Sequence, residues 1–131
     1  LPAHAKRRNK IADFFREALT KTPGISFQKI DSRDRSSYKD LNINVDPDKF
    51  GKSRDELSDL LKKQHGIDTR KYHFPPVHTH KTYIDLFNEC DSNLPNTNQV
   101  SQQCLSLPIW SHMDDDTVER IASAIVDCQN N

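Results

Sequence analysis

The sequence predicts an α+β fold, a small two-layer sandwich whose mainly antiparallel sheet of three or four strands carries helices on one face. Three observations carry that prediction. Ile11, Phe14, Phe15, Ala18 and Leu19 near one end, and Val118, Ile121, Ala122, Ile125 and Val126 near the other, recur at helical spacing. Residues 25–30 and 38–45 alternate apolar and polar side chains, the period of a strand. Turn formers separate these segments: Pro23-Gly24, Asp46-Pro47-Asp48 and His65-Gly66. At 131 residues the chain reads as one domain, residues 1–131.

Taken in order, the first helix ends at Pro23-Gly24, because proline cannot continue a helix and glycine tolerates turn geometry. Residues 25–30 form a strand. The short charged turn 31–35 leads to a second strand at 38–45, with Leu41, Ile43 and Val45 on one face, so the two make an antiparallel hairpin. Ser53 caps the next helix and Glu56 stands three residues on, as a capping box requires. Leu57, Leu60 and Leu61 are its apolar stripe, and Gly66 suits its left-handed end. Residues 67–72 read as a third short strand. Residues 73–80 contain Pro75-Pro76 and form an ordered loop. Residues 83–90 make a helical turn or two, and 91–99 are polar loop. Residues 104–109 are the last strand, and Asp114-Asp115-Asp116 caps the closing helix.

The bulk composition excludes several classes. Nineteen basic residues balance nineteen acidic ones, so no global field draws the chain to nucleic acid or to an anionic membrane. Lys6-Arg7-Arg8 and Lys10 read as the solvated face of a helix. No apolar run is long enough for a bilayer, and no apolar region of a signal peptide follows Leu1-Pro2-Ala3-His4. Cys90, Cys104 and Cys128 are widely spaced without a CxxC pair, which fits a reduced, cytoplasmic protein, with one disulfide plus one thiol as the alternative. At 34% hydrophobic and 29% charged, the chain should have a thin core and long solvated surfaces.

Candidate chemistry concentrates in one loop. His73, His78 and His80 fall together, with His65 upstream and Asp85 or Cys90 as distant further ligands. Their spacing matches no standard metal site, so the alternatives are a metal site, surface histidines, or a rigid Pro-Pro loop presenting His78 to a ligand. The three aspartates fit helix capping better than a cation site, since EF-hand spacing is absent. Cys90 and Cys104 have no sequence neighbour that would activate a thiol. The chain has three glycines and no Gly-rich phosphate loop.

The run Gly66-Ile67-Asp68-Thr69-Arg70-Lys71-Tyr72, then Pro75-Pro76-Val77-His78, then Tyr83, resembles a stretch of the DegT/DnrJ/StrS family of aminotransferases. Leu94-Pro95, Leu105-Ser106-Leu107-Pro108 and the helix from Asp114-Asp115-Asp116 to Ile125 resemble later signatures of that family. Arg8-Asn9-Lys10-Ile11-Ala12 and Ser53-Arg54-Asp55-Glu56-Leu57 resemble earlier ones. The likeness covers nearly the whole chain.

That resemblance implies the C-terminal small domain of a fold-type I enzyme that moves an amino group from glutamate or glutamine to a keto-sugar on a nucleotide carrier. It implies pyridoxal phosphate in the parent enzyme, held on a lysine of a large domain that would precede Leu1, and a parent homodimer. No lysine here resembles the cofactor lysine, so this chain alone would bind no cofactor and contribute no catalytic residue. By resemblance, Tyr72 and His78 border the substrate cleft. Arg70 either contacts an anionic group of the substrate or pairs structurally. His73 and His80 depart from the tyrosine and glutamine common in the family. Two other readings stand beside this one: a stand-alone, non-catalytic module for nucleotide sugars, and a metal-binding domain built on the loop histidines. A piece of a larger enzyme should expose an apolar patch where its large domain sits.

Overall fold

The computed structural model describes residues 2–87 and 94–130. Among these, the helices are α1 (Pro2–Leu19), α2 (Pro47–Phe50), α3 (Arg54–His65), α4 (Lys81–Phe87), α5 (Pro95–Gln103) and α6 (Asp115–Asn130), with a single 3-10 turn at Val77–Thr79. The strands are β1 (Ile25–Phe27), β2 (Leu41–Val45) and β3 (Cys104–Leu107), in the order β1-β2-β3 and antiparallel throughout. Ile43 of the central strand sits opposite Phe27 on one side and Leu105 on the other.

The two-residue period of β2 places Leu41, Ile43 and Val45 on a buried face and Asn42 and Asn44 on the opposite one. Residues from α1, α3 and α6 close over the apolar face. Ile11, Phe15 and Leu19 of α1, Leu57 and Leu61 of α3, and Val118, Ile121 and Ile125 of α6 join the strand side chains in one core. Each such fully buried side chain stabilises the fold by roughly 1.5–3 kcal/mol before conformational entropy is counted. This is the expected layer of helices on one face of an antiparallel sheet.

The helix ends follow from local chemistry. The Ser53 hydroxyl accepts from Glu56 N–H at 3.3 Å, and the Glu56 carboxylate accepts from Ser53 N–H at 2.7 Å. Gly66 takes φ 65° and donates to Lys62 C=O, while Ile67 donates back to Leu61 C=O, closing α3 as expected. The Asp114 carboxylate accepts from Thr117 N–H at 2.7 Å, which caps α6. Gly24 is required by contact as well as by its φ of 79°: a Cβ there would lie 2.4 Å from Phe50 N.

Several expectations need correction. The first strand stops at Phe27 and the second starts at Leu41, so a long connection replaces the tight hairpin, although the antiparallel pairing holds. Residues 67–72 contribute a single bridge, Arg70 to Ser106, on the outer edge of β3, because Pro75 and the turn at 72–75 leave nothing to extend it. Within the polar segment 91–99, residues 95–99 are helical, not loop: Pro95 at the first position pre-sets its φ and starts α5. Asp46 does end β2, and its side chain then caps α2 by accepting from Asp48 N–H at 3.2 Å. Phe14, assigned to the buried stripe of α1, is 39% exposed, and Ala18 is exposed too, because the helix turns Ile11, Ala12, Phe15 and Leu19 inward. Cys90 lies outside the described residues, as does most of 91–94 before α5.

Candidate functional site

On the other side of the sheet from the core helices, the chain builds a recess from residues 70–83 and α5. The edge bridge at Arg70 starts it: Arg70 N–H donates to Ser106 C=O at 3.1 Å and Ser106 N–H returns to Arg70 C=O at 2.7 Å. The segment then passes Tyr72 and the two prolines into the 3-10 turn. Thr79 Oγ1 donates to Pro76 C=O at 2.8 Å and Thr79 N–H to the same carbonyl at 3.0 Å, which locks the turn. The recess beside it measures about 700 Å³ and is mostly apolar, bounded by Tyr72, Val77, His78, Tyr83, Leu94, Val100 and Ser101.

His78 is held, not loose. Its Nε2 lies 2.8 Å from Asn98 Oδ1 on α5. With the amide oxygen accepting, Nε2 carries the hydrogen and the ring orientation is fixed. Tyr72 stands at the wall between this recess and a second one of about 310 Å³, which Lys39, Asp40, Asp68, Arg70 and Trp110 line. Arg70 belongs to that second recess. Its Nη1 donates to Tyr72 Oη at 2.6 Å, and the guanidinium sits 5.9 Å from the centre of the Tyr72 ring. Tyr72 and His78 therefore share one cavity, while Arg70 reaches it only through the Tyr72 hydroxyl.

Of the other loop histidines, His73 also lines the recess and His80 does not. His80 Nε2 is 3.3 Å from Pro75 C=O, and the His73 ring packs 5.5 Å from that of Tyr72. Among the described residues no three His, Cys, Asp or Glu side chains converge as metal ligands. Cys104 is buried and desolvation pushes its thiol up, the opposite of activation, and Cys104 and Cys128 are both free thiols. No helix among the described residues is long and apolar enough to cross a membrane.

The recess does not fit a complete pyridoxal phosphate site. Among the described residues no lysine and no carboxylate lines it, so these offer neither an amine for a Schiff base nor an acid for a pyridine nitrogen. The nearest lysine in sequence, Lys71, is engaged by Asp55 at 2.6 Å. That ammonium, with Arg54 adding to it, holds the Asp55 carboxyl below its usual range.

Three residues of the site were not legible as such in the sequence. Asn98 sits in a polar stretch that reads as loop, and Pro95 was the one sign of a helix there. Arg54 looks like a solvated residue in a helix first turn but is 2% exposed. Phe74 stacks on it, its ring centre 4.8 Å from the guanidinium carbon.

The comparisons with known proteins agree with this architecture. The sequence profile of the DegT/DnrJ/EryC1/StrS aminotransferase family matches residues 1–126. The chain is 32% identical over 122 residues to the spore coat polysaccharide biosynthesis protein SpsC of Bacillus subtilis, covering 93% of this chain and 31% of that protein. It is 32% identical over 120 residues to the dTDP-4-amino-4,6-dideoxy-D-glucose transaminase of Escherichia coli, covering 92% and 32%. Among solved structures, DesI with its TDP-sugar product superposes with a TM-score of 0.87 at 25% identity, over 99% of this chain and 32% of that one. S. venezuelae DesV superposes with a TM-score of 0.86 at 24% identity, over 99% and 33%. The chain thus spans about a third of the length of these relatives. With the profile match running over nearly its whole length, the chain belongs to the DegT/DnrJ/EryC1/StrS aminotransferase family.

Proposed function

We propose that this chain is the C-terminal small domain of a pyridoxal-phosphate-dependent aminotransferase that transfers an amino group from glutamate or glutamine to a keto-sugar on a nucleotide carrier. A large domain outside this chain would hold the cofactor lysine, and the chain alone does not transaminate. The parent works as a cytoplasmic homodimer. The observation that carries the reading is the recess itself: among the described residues it presents Tyr72 and His78 but no lysine or acid, on a chain a third the length of its relatives. The exposed apolar residues point the same way. Phe74, Val77, Tyr83, Leu94 and Val100 are all more than two-fifths exposed on that side, the kind of patch a second domain covers. A self-sufficient binding module has no reason to leave it bare.

In this reading the chain's own residues bind and orient. Tyr72 and the apolar wall exclude water from one side of the sugar. His78, with Nε2 fixed by Asn98, offers a set ring orientation to a sugar or phosphate oxygen. Arg70, bound to the Tyr72 hydroxyl, supplies positive charge to an anionic group of the nucleotide carrier.

The test uses the coding frame and two proteins. The frame is expected to extend upstream through a lysine-bearing domain. The long protein with pyridoxal phosphate should aminate a nucleotide-linked keto-sugar, and the 131-residue chain alone should not. Turnover by the short chain would sink the proposal. A frame that encodes only this chain, together with nucleotide-sugar binding lost in His78→Ala, would favour the stand-alone module.

A further inference from the structure

We infer that Arg54 is a positioning residue that sets His78 and the aromatic wall of the recess from behind, without touching a ligand itself. A guanidinium that is 2% exposed is costly to bury unless its neighbours compensate for the lost water. Here the compensating contacts go to segments that flank the recess, and Ser101 lines it directly. Nη1 donates to Ser101 C=O at 2.9 Å, in the last turn of α5 where carbonyls lack a partner within the helix, and to Cys104 C=O at 3.2 Å, where the helix gives way to β3. A cation at that end also complements the helix dipole. Within the same helix, Ser101 Oγ donates to Asn98 C=O at 3.0 Å, and the Asn98 side chain holds His78. Arg54 therefore reaches His78 through Ser101 and Asn98.

The second set of contacts runs to the opposite flank. Arg54 Nε lies 2.9 Å from Asp55 Oδ1, but the N–H is not aligned on that oxygen, so the contact is ionic and not a directed hydrogen bond. Asp55 in turn binds Lys71, the residue before Tyr72. The face of the guanidinium carries Phe74. One buried charge thus ties the end of α5 to both Tyr72 and the Pro75-Pro76 turn. Lysine would retain the charge but not the planar surface that Phe74 covers or the reach to two carbonyls.

The consequence for substrate rests on the proposed function, whereas the positioning of His78 does not. The experiment uses the full-length protein with Arg54→Lys, Arg54→Met, Ser101→Ala, His78→Ala and the double variant Arg54→Lys/His78→Ala. With ¹⁵N-labelled histidine, the resonance absent from His78→Ala identifies His78. Arg54→Lys should move that resonance and leave those of His4 and His112 in place. It should raise KM for the nucleotide sugar about tenfold with kcat within about twofold. The double variant should lose less than the product of the two single losses, because both changes act on His78. An unmoved His78 resonance in Arg54→Lys, or losses that multiply in the double variant, would overturn the inference. Should Arg54→Met fail to fold, the lysine variant and Ser101→Ala decide the matter, the latter expected to move His78 in the same direction. Should His78→Ala leave KM unchanged, the substrate role of His78 fails, and the resonance alone decides whether Arg54 positions it.

Discussion

The two sides of the sheet are built on different principles. On the helix-layer side, Phe15, Leu19, Leu57, Leu61, Leu105 and Ile125 are fully buried, and apolar contact between large side chains does most of the stabilising. Toward the recess, the buried polar groups are Ser101, Ser106 and, reaching over from the first turn of α3, Arg54, all held by hydrogen bonds, and the large apolar groups are left outside. Phe74 is 50% exposed and Val77 59%. Non-directional burial suffices to hold a core together, whereas fixed hydrogen bonds are what hold a side chain such as His78 at a set position. The contrast separates what keeps the chain folded from what positions the side chains of the candidate site.

Four changes would break or sharpen that contrast. The largest effect belongs to the helix layer. Phe15→Ala should cost about 3–5 kcal/mol in urea unfolding, since the site is closed by α6 and the sheet and cannot collapse freely. A loss below about 1 kcal/mol would mean the layer is loosely packed. Next, Gly24→Ala should cost about 2 kcal/mol, because it combines a positive φ with a clash against the backbone of α2. Its unfolding midpoint should fall without a change in slope.

The third concerns acid. The Asp55, Glu56 and Asp114 carboxyls are all held below their usual range, by Lys71, by the Ser53 N–H and by hydrogen bonds from Thr117 respectively. A depressed folded-state pKa stabilises the fold above the unfolded value and loses that contribution as pH falls through the folded value. Stability should thus hold from neutrality to about pH 5 and decline below about pH 4. Asp114→Asn should flatten that acid limb, as read from denaturation midpoints across pH. The smallest effect belongs to the recess rim. Val77→Ala should shift stability by less than about 0.5 kcal/mol in the isolated chain. The same change should weaken association with a large domain if that surface is covered, and an equal response in both settings would erase the distinction between the two sides.

Much of the helix layer was legible in the sequence because its signals are local and periodic. The capping box at Ser53 and Glu56, the glycine stop at Gly66 and the acidic start at Asp114 each depend on residues within one or two turns. The limits of that reading appear where partners are distant. Phe14 has the same spacing credentials as Phe15, and only the placement of α6 decides which of them faces inward. Residues 67–72 have the alternation of a strand, but the neighbour available to pair with them is a single residue of β3. The polar segment holding Asn98 lacks an apolar stripe, so its helix was hidden behind its composition.

The candidate site divides in the same way. The motif from Gly66 to His78 names Tyr72, His78 and Arg70 by resemblance; in the structure Tyr72 and His78 line one recess and Arg70 another. The sequence by itself determined the fold class, both ends of α3, the start of α6 and the loop that carries the candidate site, because propensity, capping and periodicity act over a few residues. Only the tertiary structure decided that Arg70 faces a separate recess, that Asn98 holds His78, and that Arg54 is buried. Those outcomes rest on contacts between residues 20 to 50 positions apart, and no local pattern encodes which distant carbonyl a buried guanidinium will meet.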